Sequence, residues 1–70
     1  MSTDVKVWTG EEVRQLRFRM RLNQAEFAAR LDTWQGQVSE WERGVNRIRR
    51  FATLRALDAL DAESRQTSTE

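Results

Sequence analysis

Seventy residues carrying a net charge of +1, with neither cysteine nor histidine, make one domain at most and leave no room for a separate catalytic unit. The lack of those two residue types excludes disulfides, thiolate metal sites and the usual imidazole ligand or general base. A chain this short buries only about 60% of its unfolded surface, so its stability must come from close helix packing, from a partner, or from both.

The charge is unevenly spread. From Arg14 to Arg55 ten arginines face Glu26, Asp32, Glu40 and Glu42, a balance of +6, while the rest of the chain sums to −5. A basic middle between acidic ends suits a polyanion-binding face; an ordinary solvated surface is the alternative. Eleven of the twelve cationic side chains are arginine, which favours forked contacts to phosphates or base edges over diffuse attraction. There is no long apolar run, and MSTDVKVWTG at the N-terminus lacks the basic-then-apolar build of a secretory signal. The expectation is a cytoplasmic protein with no membrane contact, no metal and no cofactor.

In chain order, residues 1–8 read as a flexible arm, polar from Met1 to Asp4, with Val5, Val7 and Trp8 set among polar residues. Thr9 and Glu12 have capping-box spacing, and Trp8 and Val13 fall at the positions of a hydrophobic staple. A first helix is therefore predicted over about Gly10 to Met20, with Val13, Leu16 and Met20 as its buried stripe and Arg17 on the same side. Phe18 lies off that stripe, as a contact residue or as peripheral core.

Asn23 and Glu26 repeat the capping-box signal and open a second helix, Asn23 to Leu31, with Ala25, Phe27, Ala28 and Leu31 as apolar positions. Asp32, Thr33 and Trp34 leave space only for a sharp turn, and Asp32 tolerates the positive φ such turns need. A third helix, Gln35 to Arg43, turns Val38 and Trp41 inward and ends at Gly44. Asn46 is a candidate cap for a last helix, about Arg49 to Leu60, bearing Ile48, Phe51, Leu54, Leu57 and Leu60. Its wide apolar arc fits either a dimer seam or a helix wrapped on the core. Residues 61–70 read as a polar, frayed tail. The domain proper is residues 9–60, all-α, with two short helices and a tight turn at 23–44 in the layout of a helix-turn-helix.

LNQAEFAARLDTWQGQVSEWERG resembles the helix-turn-helix of the phage repressor and Cro type, the XRE family. The resemblance rests on Gln24, Ala28, Val38, Ser39, Trp41, Glu42 and Gly44, and extends over about Glu11 to Leu60. It implies a compact lambda-repressor-like domain of four or five helices. It further implies that Trp34, Gln35, Gly36, Gln37 and Glu40 face the major groove, and that Asn23, Gln24, Arg43, Asn46 and Arg47 meet phosphates. Arg17 and Glu42 match a family ion pair between the first and third helices. The side-chain chemistry agrees in part: Gln35 can pair with adenine through two hydrogen bonds, Gly36 lets the helix come close, and Glu40 can accept from a cytosine amino group. The chain departs from the family pattern in three ways. Trp34 stands where Ser or Thr caps the third helix, so Thr33 or Asp32 is expected to cap it and shift its start. Asp32 and Arg21 replace turn glycines, and the proline usual after the third helix is missing near Ile48.

The function expected is sequence-specific binding of double-stranded DNA by a small Cro-like repressor or autoregulator. A homodimer on an inverted repeat supplies the base contacts that one small domain lacks. Trp8, Phe51, Leu54, Leu57 and Leu60 are the candidate dimer residues. The alternative is a protein-interaction module, of antitoxin type, with Trp34 and Phe18 as exposed anchors. No spacing for nucleophilic or metal chemistry stands out, so the chain does not read as an enzyme.

Overall fold

The structure, a computed structural model, describes residues 7–66. The expectations for Met1 to Lys6 and for residues 67–70 lie outside those residues. Four helices follow one another: α1 (Gly10–Arg19), α2 (Gln24–Arg30), α3 (Gln35–Arg43) and α4 (Phe51–Gln66). The described residues contain no strand. None of their helices is long and apolar enough to cross a membrane.

Local chemistry sets the helix starts. Thr9 accepts from the Glu12 amide while Glu12 accepts from the Thr9 amide, and Asn23 and Glu26 do the same for α2. Each box satisfies two amides that the first helical turn leaves open. α3 begins differently: Trp34 is its N-cap in extended backbone, and no side chain caps it. The expectation that Thr33 or Asp32 would cap and shift the start is therefore corrected. The helix starts at Gln35 with its cap position chemically empty.

The first three helices end alike. After α1, the amides of Arg21 and Leu22 return to the carbonyls of Phe18 and Arg17. After α2, those of Asp32 and Thr33 return to Ala29 and Ala28, and after α3 those of Gly44 and Val45 return to Trp41 and Glu40. This double closure needs a left-handed residue at its hinge. Arg21 (φ 60°), Asp32 (φ 58°) and Gly44 (φ 77°) provide it, and only Gly44 does so without a Cβ to accommodate.

The core gathers Trp8, Val13, Leu16, Phe27, Ala28, Leu31, Val38, Trp41, Ile48, Leu57 and Leu60, with Met20, Leu22, Leu54 and Ala56 packed against it. α2 and α3 make the most extensive helix contact, followed by α1 with α3 and α1 with α4. Ala28 is fully inside, but Ala25, expected among the apolar positions of the second helix, is exposed. Gly10 governs the approach of α1 to α3: a Cβ there would stand 2.0 Å from the Trp41 carbonyl oxygen and 3.1 Å from the Glu42 backbone. Only glycine fits that crossing.

Three expectations at the chain's outer parts are revised. Trp8 belongs to no flexible arm; it is buried, and its Nε1 donates to Asp58 Oδ1 at 2.9 Å. Asn46 does not cap α4, which starts at Phe51, and instead donates to Glu40. Residues 61–66 are not frayed, because α4 runs on to Gln66. Its last turns are fastened to the end of α1: Arg19 donates to Asp61 and, at 3.1 Å, to the buried Ser64 hydroxyl. Arg65 adds an ion pair to Asp61 one turn back, at 3.2 Å.

The wide apolar arc of α4 is thereby accounted for. Leu57 and Leu60 are buried in the domain's own core and Leu54 packs against it. Trp8, Leu57 and Leu60 are thus withdrawn as dimer candidates, since none presents a surface to a second chain. Phe51 remains exposed, with the Arg55 guanidinium 5.7 Å from its ring centre.

Candidate nucleic-acid interface

α3 has two unlike faces, and the sequence places them. Val38, Trp41 and Glu42 are buried, whereas Gln35, Gly36 and Arg43 are exposed and Gln37, Ser39 and Glu40 lie between. The inner face anchors the helix on a carboxylate. Glu42 receives Arg17 Nε at 2.7 Å on one oxygen and Arg17 Nη2 at 2.9 Å on the other, a fork that fits carboxylate geometry. The Arg17 Nη1 also donates to the Leu22 carbonyl, which ties the α1–α2 turn to the same point. Arg14 Nε stands 3.9 Å from Glu42.

Burial by itself pushes the Glu42 carboxyl up. The hydrogen bonds from Arg17 and Gln24 and the charges of Arg17 and Arg14 outweigh it, so the group is held below the ordinary glutamate range. Arg17 is raised in turn by its hydrogen bond to Glu42, against the opposing pull of burial. Both shifts favour the charged forms of the pair.

From this anchor a chain of hydrogen bonds leads outward. Gln24 Nε2 donates to Glu42 Oε1 at 3.1 Å, and Gln24 Oε1 accepts from Gln35 Nε2 at 2.8 Å. Gln24 thus joins the start of α2 to the start of α3. Gln35 keeps its amide oxygen and one N–H free of these bonds, and Gln24 keeps one N–H. The family resemblance implied a phosphate for Gln24 and a base for Gln35; it did not show that the two hold each other, nor that Arg14 joins Arg17 at Glu42. The signal was present in Gln24 and Gln35 as long amides at the two helix starts, but pairing them requires the angle between α2 and α3.

The other candidates differ in exposure and in the partners they hold. Trp34 is exposed and its ring lies near Gly36, whose added Cβ would meet Trp34 Cδ1 at 3.4 Å. Glu40 is engaged by Asn46 at 2.7 Å, so these two candidates hold each other rather than standing open. Asn23 spends its side-chain oxygen on capping α2. Arg43 and Arg47 are exposed and enter no ion pair among the described residues. Arg49 and Arg50, not singled out as site residues from the sequence, share both properties. Phe18, on α1, is exposed with the Arg17 guanidinium 4.8 Å from its ring centre.

The described residues form no cluster of acidic side chains able to hold a metal ion. The arrangement offers amide donors and acceptors on a helix surface, flanked by unpaired guanidinium groups. No family model matches the chain, and neither does any curated protein or solved structure.

Proposed function

We propose that the chain binds double-stranded DNA in a sequence-specific manner, as a small transcriptional regulator of the phage-repressor type, with α2 and α3 acting as a helix-turn-helix. The observation that carries this reading is the relay from the buried Glu42 through Gln24 to Gln35. It fixes an exposed amide at the leading end of a helix whose outer face is open. Adenine needs one acceptor and one donor in the major groove, and Gln35 retains one of each. Gln24, with one N–H left, serves a phosphate beside it. Arg43 and Arg47 supply further backbone contacts, which position the protein without reading sequence.

Gly36 and Gln37 extend the reading surface beyond Gln35. Glu40 takes part only by exchanging Asn46 for a cytosine amino group. One such helix contacts few bases, so two copies on an inverted repeat are the functional unit in this reading. With Trp8, Leu57 and Leu60 inside the core, Phe51 and the partly covered Leu54 are the dimer candidates that remain. Repression by promoter occupancy in the cytoplasm is the activity that follows.

Selection of bound duplexes from a random pool, followed by titration of the winner at several salt concentrations, tests the proposal. The expected result is a palindromic site, with affinity falling as salt rises because counterions are released. Salt-dependent binding with no preference over random duplex leaves only a nonspecific polyanion binder, and the proposal fails.

A further inference from the structure

An open groove of about 850 Å³ runs between the segment before α1, the α2–α3 turn and the connection from α3 to α4. Trp8, Leu31, Trp41 and Ile48 give it buried apolar walls. At its rim Val7, Trp34 and Val45 are 72%, 65% and 59% exposed. Three of the five large apolar side chains exposed among the described residues are therefore gathered around one groove, which is the pattern of an interaction site rather than of scattered surface residues.

The polar side of the groove is equally one-sided. Arg47, Arg49 and Arg50 line it, exposed and in no ion pair among the described residues, against the single carboxylate of Asp32. Trp41, one of the groove's walls, has a buried Nε1–H with no hydrogen-bond partner among the described residues. An orphaned buried donor is rare in a folded protein and asks for an acceptor. The groove is thus short of negative charge, and its apolar rim is uncovered.

A phosphate backbone answers the charge but not the apolar walls. A small molecule in so open a groove keeps much of its surface in water, where ligand pockets normally enclose their occupant. A peptide with carboxylates on either side of a bulky apolar residue answers both requirements, and tryptophan and arginine are the residues that dominate such contacts.

We propose that this groove docks an acidic segment of a partner protein. Its apolar side chain packs between Trp34 and the Trp41 wall, and its carboxylates sit on Arg47, Arg49 and Arg50. A small shift of the side chains that shield Trp41 gives a peptide carbonyl access to Nε1. Trp34, Gln37, Asn46 and Arg47 belong both to this groove and to the proposed DNA face. Peptide and duplex therefore exclude each other, a consequence that rests on the DNA reading; the docking itself does not.

The test uses the full chain labelled with ¹⁵N and a capped peptide of sequence Glu-Asp-Leu-Phe-Glu-Asp. The three tryptophan indole signals are assigned with the help of Trp34→Phe. The expected result is movement of the Trp34 and Trp41 indoles, the latter downfield as Nε1 gains an acceptor. Arg49→Glu with Arg50→Glu, both exposed positions, should weaken binding by about tenfold or more; Arg49→Gln with Arg50→Gln gives a smaller loss in the same direction if the reversal perturbs folding. A peptide with lysines in place of its acids should not bind. An absence of shifts in both indoles, an equal response to the basic peptide, or unchanged affinity in both double variants overturns the proposal. Peptide binding without duplex binding upholds the groove and sinks the DNA reading, and duplex binding without any peptide response does the reverse.

Discussion

The inner and outer faces of α3 are built on opposite terms. Inward, Val38 and Trp41 fill the core, and the Glu42 carboxylate, whose side chain is 3% exposed, meets a forked arginine and an amide. Outward, the helix begins without a side-chain cap, carries a glycine in its first turn, and shows a tryptophan that is 65% exposed. The first face contributes stability and the second forgoes some of it. That division teaches where a short domain can tolerate change: inner-face substitutions should threaten the fold, while outer-face ones should strengthen or spare the fold and alter what it binds.

The largest expected effect is on the inner face. Glu42→Ala removes the carboxylate that Arg17 grips and leaves a mostly buried guanidinium without its counter-charge. Breaking one partner of such a pair costs about 3–5 kcal/mol, much of the margin available to so small a domain. Chemical denaturation should show the loss directly. The same site predicts acid sensitivity. Because the folded Glu42 pKa is lowered, its stabilisation is complete above the ordinary carboxylate range and is lost as pH falls through the folded value. Glu42→Gln should therefore flatten the acid limb of the stability curve; an unchanged limb means that Glu42 does not govern it. Gly10→Ala comes next, at about 3 kcal/mol, because the obstructing Trp41 oxygen is backbone and cannot swing aside. Thermal unfolding of that variant should show a clear drop. Wild-type stability would place the helices farther apart than described.

How much of this could be read from the chain follows the same division between local and distant causes. Both capping boxes and the Gly44 stop are local chemistry, and each formed where its spacing said. Asp32 was also legible, since a turn of that length calls for a residue that tolerates positive φ. Gly10 was not, because its reason is the backbone of α3 some thirty residues away. The persistence of α4 beyond Leu60 was hidden for a similar reason: DAESRQ reads as a polar tail until Arg19 is brought beside Asp61 and Ser64. Trp8 looked like an arm or a dimer contact because its partner, Asp58, is far along the sequence. At the candidate site the residue types were legible, but their mutual bonds were not. Gln24 with Gln35, and Glu40 with Asn46, depend on how the helices cross and how the chain leaves α3.

Caps sharpen the comparison at a smaller scale. Thr9→Ala and Asn23→Ala each remove a reciprocal cap and should cost about 1 kcal/mol. Trp34→Ser should act in the opposite direction. The backbone at Trp34, φ −126° and ψ 161°, is already that of an N-cap, so a serine hydroxyl there can accept from the first turn and add about 1 kcal/mol. Parallel melts of the three variants decide the matter: a destabilised Trp34→Ser would mean that Trp34 supports the fold after all.

The smallest effect on stability is the most direct test of the division. Gly36 is helical with ordinary dihedrals, and an added Cβ meets only the Trp34 side chain, at 3.4 and 3.6 Å. The fold therefore does not require glycine here, unlike at Gly10. Gly36→Ala should raise stability by about 0.5 kcal/mol by restricting the unfolded chain and improving helix propensity in the first turn. Under the DNA reading the added methyl group stands on the face that approaches the bases and should weaken binding to the selected duplex by about tenfold. A more stable variant with unchanged DNA affinity would remove Gly36 from the reading surface. A more stable variant that binds DNA poorly would show that the glycine serves contact at the expense of stability, which is the bargain the outer face of α3 implies.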